Sequence, residues 1–260
     1  HERFWMMMKN YLTFDFGQSY FQDRDVVDIV LDKMPVSISL GLWSTLIIYI
    51  ISVPLGVAKA VRDGSNFDVW SSAAIIVGYA IPGFALGALM LVYLGARGGW
   101  FPLFGLTDPN FDDMGTWEQF VDLLHHTALP LLCYVVGGFA WLTMMMKNNL
   151  MDNLAADYVR TAVAKGVSFR SAVFKHAFRN SFIPIASTLG QLITILVSGS
   201  ILIESVFDIQ GFGLLQYQAL LGRDQTVIMG TLTIAAFLLV LGNILSDLIV
   251  AMVDPRVKFN

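Results

Sequence analysis

The sequence of 260 residues predicts an all-α, polytopic membrane protein with five transmembrane helices. Three observations predict it. Hydrophobic residues make up 56% of the chain and charged residues only 14%, against about a quarter charged in an ordinary soluble domain. The apolar residues fall into five uncharged blocks, 34–58, 69–96, 123–146, 180–203 and 225–246. The basic residues gather in alternate connections between those blocks.

Each block is long enough to cross about 30 Å of hydrocarbon as a helix. Buried helices of soluble proteins rarely run so far without a charge. The last block holds eleven Leu, Ile, Val or Phe residues, which favour insertion by roughly 3 to 6 kcal/mol before its polar residues subtract.

Charge sets the orientation. Residues 59–68, 147–179 and the tail carry ten basic side chains; the other connections carry six against fourteen acidic ones. The positive-inside rule puts the first set and the C-terminus in the cytoplasm and the start of the sequence outside. Phe4 to Met8 is too short for a signal-peptide core. A sixth helix is therefore expected upstream, and residues 1–33 read as an external segment.

The spans are rich in helix-modulating residues. Pro54, Pro82 and Pro130 fall in or near spans, and Pro184 opens the fourth. Gly83 and Gly87 form a small-xxx-small pair, and Ser187, Gly190, Thr194 and Ser198 make a stripe of small residues. Such positions allow close helix approach in lipid. They fit tight static packing as well as a path or a moving contact.

Several functions are disfavoured, an ion-gradient-driven carrier and, behind it, an intramembrane hydrolase standing as the alternatives. A net charge of −4 suits no nucleic-acid partner, and the single Cys133 builds neither a disulfide framework nor a cysteine metal site. His125 and His126 are adjacent on a helix and cannot both face one metal. No reactive Ser and His share one depth, as an intramembrane hydrolase needs. No phosphate loop is present, so the chain does not hydrolyse ATP. An ion-driven carrier normally buries acidic groups at membrane depth, whereas Glu204 and Asp247 lie at span ends.

The loop 147–181 is the most informative segment. It reads as two short helices. Ala155, Tyr158, Val159 and Ala162 share one face of the first, and Gly166 stands at its C-terminal glycine position. Ser168 caps the second, where Phe169, Val173, Phe174, Ala177 and Phe178 oppose Arg170, Lys175 and Arg179. Periodicity alone allows this apolar stripe to pack on the chain's own spans, on headgroups or on a partner.

The residues themselves carry a resemblance. Asp157-Tyr158-Val159-Arg160-Thr161-Ala162, Ala164-Lys165-Gly166, His176-Ala177-Phe178-Arg179-Asn180 and Ile183-Pro184 resemble the cytoplasmic loop of binding-protein-dependent ABC importer permeases, oligopeptide/dipeptide/nickel class. Arg160-Thr161-Ala162 stands where the wider superfamily has Glu-Ala-Ala, and Arg179 where it has a late Pro. Both departures look like the peptide-class loop. Gly17-Gln18-Ser19, Val53-Pro54-Leu55-Gly56, Ile81-Pro82-Gly83-Phe84, Glu204-Ser205-Val206-Phe207, Gly211-Phe212-Gly213 and Asp254-Pro255-Arg256 extend the similarity over 11–258. The aromatic, Met-rich start and the Asp-rich stretch 108–122 are similar to the microcin-type peptide importers.

The resemblance implies a type I importer permease fold in the bacterial inner membrane, with the transmembrane domain over 34–258. It implies a second homologous permease as partner in the pore, an ATPase subunit holding ATP and Mg, an external solute-binding protein, and no cofactor in this chain. Ala155, Asp157, Tyr158, Val159, Arg160, Thr161, Ala162, Val163, Lys165, Gly166, Val167, Ser168 and Arg170 would couple to the ATPase. Tyr158, Val159, Ala162 and Val163 would give apolar contact, and Arg160, Lys165 and Arg170 would pair with acidic groups. Asp112, Asp113, Glu204, Phe207, Gly211 and Gly213 would lie where the binding protein docks.

Overall fold

The computed structural model describes residues 2–198 and 200–253, with side chains over 4–189 and 200–252. The described residues are helical, and no strand occurs among them. Helices α1 (Glu2–Leu12), α2 (Val26–Val61), α3 (Asn66–Ala80) and α4 (Gly83–Met90) come first, α4 continuing as a π-helical stretch, Leu91–Arg97. A short 3₁₀ turn, Phe111–Asp113, precedes α5 (Thr116–Ala155) and α6 (Asp157–Ala164). The short α7 (Phe169–Ser171) runs through a π-helical stretch, Ala172–Ala177, into α8 (Phe178–Ser198). Then follow α9 (Ile201–Val206), α10 (Phe212–Gly222) and α11 (Gln225–Val253).

Among the described residues, α2, α5 and α11 are each long and apolar enough to cross a membrane. The block 69–96 does not form the single straight span expected. It is two helices, α3 and α4 with its π continuation, bent by 85°. The break falls at Ile81-Pro82, where Ile81 adopts φ −90°, ψ 117°. Proline forces its predecessor out of the helical region, which ends α3 one residue earlier. Pro130, by contrast, sits inside an unbroken α5. The fourth block begins within α8, whose side chains over 190–198 are outside the described residues, as is the terminal motif 254–256.

Two compact units divide the chain: His1–Trp43, Gly83–Tyr134 and Ile193–Leu241 form the first, and Ser44–Pro82, Val135–Leu192 and Gly242–Asn260 the second. The first unit holds two apolar clusters. One joins Phe16, Val26, Ile29 and Val30 to Phe212, Leu215 and Val227. The other joins Leu40, Leu91, Leu129 and Cys133 to Ile203, Phe207 and Ile209. Gly83 and Gly87 face this second cluster: β-carbons there would stand 2.8 Å from the Cys133 carbonyl and 2.9 Å from the Phe207 ring. The pair serves the close approach that glycine permits. In the second unit the core runs from Val57, Leu142, Met146 and Leu150 to Val159, Ala172, Val173, Ala177 and Ile185.

Candidate functional site

The loop hairpin is built as its sequence suggests at the turn. Gly166 has φ +91°, open only to glycine at low cost, and Val167 N donates back to the Ala162 carbonyl at 3.1 Å. Ser168 Oγ caps α7 by accepting from Ser171 N at 3.4 Å. The second arm is not a separate short helix, however. It enters α8 without a break, because nothing between Phe169 and Phe178 is a helix breaker. Any force on the turn is thus delivered straight to a long helix.

The faces also differ from those expected. Val159 is buried against the hairpin's own unit, with Ala162 half-buried beside it. Ala172, Val173 and Ala177 fill the facing side. Phe169 and Phe174 point outward instead of joining the stripe. The exposed side carries Ala155, Asp157, Tyr158, Arg160, Thr161, Val163, Lys165, Gly166, Ser168 and Arg170, with Val167 half-buried. Tyr158 fixes this presentation. Its hydroxyl donates to Asn153 Oδ1 at 2.6 Å and accepts from Asn180 Nδ2 at 3.1 Å, tying α6 to the ends of α5 and α8.

The same unit contains an ionic cluster that the sequence did not announce. Lys59, assigned above to a cytoplasmic connection, is fully buried. Its Nζ pairs with Asp68 Oδ1 at 2.9 Å and donates to Ser71 Oγ and Ser72 Oγ at 2.8 and 2.7 Å. Lys147 Nζ meets Asp68 Oδ2 at 2.7 Å and Asp63 Oδ1 at 2.9 Å. One buried carboxylate therefore holds α2, α3 and α5 together. Isolated ions of this kind cost several kcal/mol each to desolvate, so they persist only where each ammonium meets a carboxylate. Ser187 lies in this unit and donates to the Pro184 carbonyl at 2.6 Å, and its own carbonyl accepts from Ser246 Oγ. Gly190, Thr194 and Ser198 fall where side chains lie outside the described residues. A mainly apolar cavity of about 340 Å³ opens between Ile76, Tyr79, Trp141, Met144, Met145 and Asn148.

In the first unit the residues expected to dock a partner divide sharply. Asp112 and Asp113 are exposed on the 3₁₀ turn. Glu204, Phe207, Gly211 and Gly213 are buried and form no surface. Glu204 accepts from Ser37 Oγ at 2.8 Å and from Leu214 N at 2.9 Å, and Ser37 Oγ accepts from Phe212 N. The carboxylate thus caps the N-terminus of α10, where unpaired amides and the helix dipole favour a negative group. Burial pushes its pKa above the ordinary range, and the donors from Leu214 and Ser37 oppose that rise. His125 Nε2 pairs with the Trp100 carbonyl at 2.6 Å, and His126 Nδ1 with Asp122. These histidines tie down a loop, and no cluster of three metal-ligating side chains exists among the described residues.

Residues 52–259 match the family described as binding-protein-dependent transport system inner membrane component. The chain belongs to this family. It is 48% identical over all of its length, and 72% of the relative's, to an inner membrane ABC transporter permease protein, YejB, of Escherichia coli O157:H7. It is 45% identical over 99% of its length, and 71% of the relative's, to a peptidoglycan transport system permease protein of Agrobacterium fabrum. It is 34% identical over 96% of its length, and 78% of the relative's, to the oligopeptide permease AppB of Bacillus subtilis. Among solved structures, a chain of the inward-facing MetNI methionine ABC transporter superposes with a TM-score of 0.66. That match covers 87% of this chain and 96% of the other at 18% identity, a likeness of fold. The permease is accordingly a multi-pass inner-membrane subunit of an ABC importer, with ATP hydrolysis assigned to a separate subunit. Family membership also implies an external binding protein as partner.

Proposed function

We propose that this permease pairs with a second, homologous permease and that the two line an import path for peptides or peptide-like solutes. The relatives named for oligopeptide and peptidoglycan transport support that substrate class. Five spans serve the path, with the bent pair α3–α4 and the helix α8 completing the set begun by α2, α5 and α11. The exposed face of the hairpin, Asp157, Tyr158, Arg160, Thr161, Val163 and Lys165, docks on the ATPase subunit. Val159 and Ala162 support that face from within. The observation that carries this reading is mechanical: a turn fixed by Gly166 is continuous with α8, so movement of the ATPase rotates a span as a rigid body. The cavity between Tyr79, Trp141 and Asn148 offers apolar surface together with the polar groups of these three residues, suited to a passing peptide side chain.

The test uses the complete transporter with its binding protein in proteoliposomes. Gly166→Val strains the turn, where nothing crowds the added side chain. The complex should still assemble, while hydrolysis no longer responds to loaded binding protein. Normal stimulation in the variant removes the coupling role. Separately, Asp112→Lys with Asp113→Lys should weaken the response to binding protein at unchanged thermal stability, since both side chains are exposed. An unchanged response excludes that docking surface.

A further inference from the structure

We propose that α1 lies flat in the lipid interface at the end of the permease where α11 begins, its apolar face covered by acyl chains. Phe4, Met7, Met8, Tyr11 and Leu12 recur at i, i+3, i+4, i+7 and i+8, with Trp5 beside them, and so form one face. Lys9 and Asn10 fall on the other. Within the chain this face is open along one edge, where Trp5 is 70% and Leu12 77% exposed, while Met7 and Met8 are about 40% exposed and Tyr11 is half-buried. Its end is anchored where the Tyr11 ring meets Phe16 edge-on at 5.4 Å, and Met7 lines a cavity with Tyr11 and Phe16.

Depth argues for lipid rather than water. The segment following α1 runs along α11, a membrane span with very little of its surface buried in the chain. Gly17 lies by Thr226, Phe16 against Gly230, and Phe14 against Phe237 at 5.4 Å. Phe16, which the Tyr11 ring meets, packs on Gly230, five residues into α11, or roughly 8 Å along it at about 1.5 Å per residue. That is the depth of about 5–10 Å to which an interfacial helix buries its apolar face. The Phe14 ring reaches further down, to Phe237, while α1 leaves at the level of Tyr11. The intervening turn is fixed: Phe14 holds φ +58°, and Asp15 N donates to the Asn10 carbonyl at 2.8 Å. An amphipathic helix of Phe, Trp and Met at that level is the composition of an interfacial helix.

The experiment places a spin label at Met8→Cys, Leu12→Cys or Lys9→Cys, on a Cys133→Ser background, in the intact transporter in nanodiscs. Collisions with oxygen and with a water-soluble nickel chelate are then compared. Labels at positions 8 and 12 should be broadened by oxygen and lose nickel broadening, with the reverse at position 9. Nickel access at 8 and 12 puts the face in water, and access to neither reagent puts it against a protein subunit. Either result overturns the proposal. The unsubstituted complex gives a second readout with phospholipid carrying a diazirine in its acyl chain. Adducts on the tryptic peptide Phe4–Lys9 are expected, and their absence beside labelled α11 is the contrary result.

Discussion

The backbone of Gly211 lies directly against the carboxylate of Glu204. A β-carbon on Gly211 would stand 2.5 Å from Glu204 Oε2 and equally close to Ser37 Oγ. Gly211→Ala must therefore push apart a buried cap, and overpacking of this kind costs about 1–3 kcal/mol. Gly222→Ala, at the other end of α10, meets only Phe21 at 3.7 Å and should be neutral or slightly stabilising. Thermal unfolding of the two variants checks the contrast. Equal melting temperatures would remove the close packing of Glu204 on Gly211.

Glu204 also makes stability depend on pH. Its folded pKa is raised, mainly by burial. The folded state then holds the proton more tightly than the unfolded one, whose carboxyl titrates near about 4.3. The resulting stabilisation is complete below that value and is lost as pH rises through the folded pKa. Relative to Glu204→Gln, the native permease should lose melting temperature as pH increases from the acid side. A parallel pH profile for the two proteins would contradict it.

Asp68 is the shared partner of Lys59 and Lys147. Asp68→Asn leaves two ammonium groups without their common counter-charge, one of them fully buried. Breaking a buried pair from one side costs about 3–5 kcal/mol. Asp63 is 48% exposed and, among the described residues, pairs with Lys147, so Asp63→Asn should cost no more than about 1 kcal/mol. Denaturation midpoints of the variants in one detergent test the ranking. A milder Asp68→Asn than Asp63→Asn would overturn it.

Tyr158 positions the hairpin through Asn153 and Asn180. Tyr158→Phe keeps the ring and loses both hydrogen bonds, a stability change of about 1–3 kcal/mol in a half-exposed site. Its larger effect should be on coupling: binding-protein stimulation of ATP hydrolysis falls while basal hydrolysis persists. Restoration by Asn153→Ala in the same chain would point to Asn153, not the hairpin, as the source of the defect.

The sequence alone determined the uncharged blocks, the glycine turn and the cap at Ser168. These depend on the residues' own polarity and backbone preferences, which act within a few positions of the chain. The break at Ile81 is not read from the sequence, which offers 69–96 as one span: a proline as central as Pro130 leaves α5 intact, so Pro82 by itself does not mark it. Only the tertiary structure decided that Lys59, Asp68 and Lys147 meet, and that Glu204 is enclosed as a cap instead of exposed for docking. Their partners lie between nine and 167 residues away in sequence. A charge enters the interior only when folding brings it a counter-charge or donors, and no local pattern records that encounter. The outward turn of Phe169 and Phe174 has the same origin: small Ala172 and Ala177 let the hairpin close tightly, leaving room for Val159 and Val173 but not for the rings.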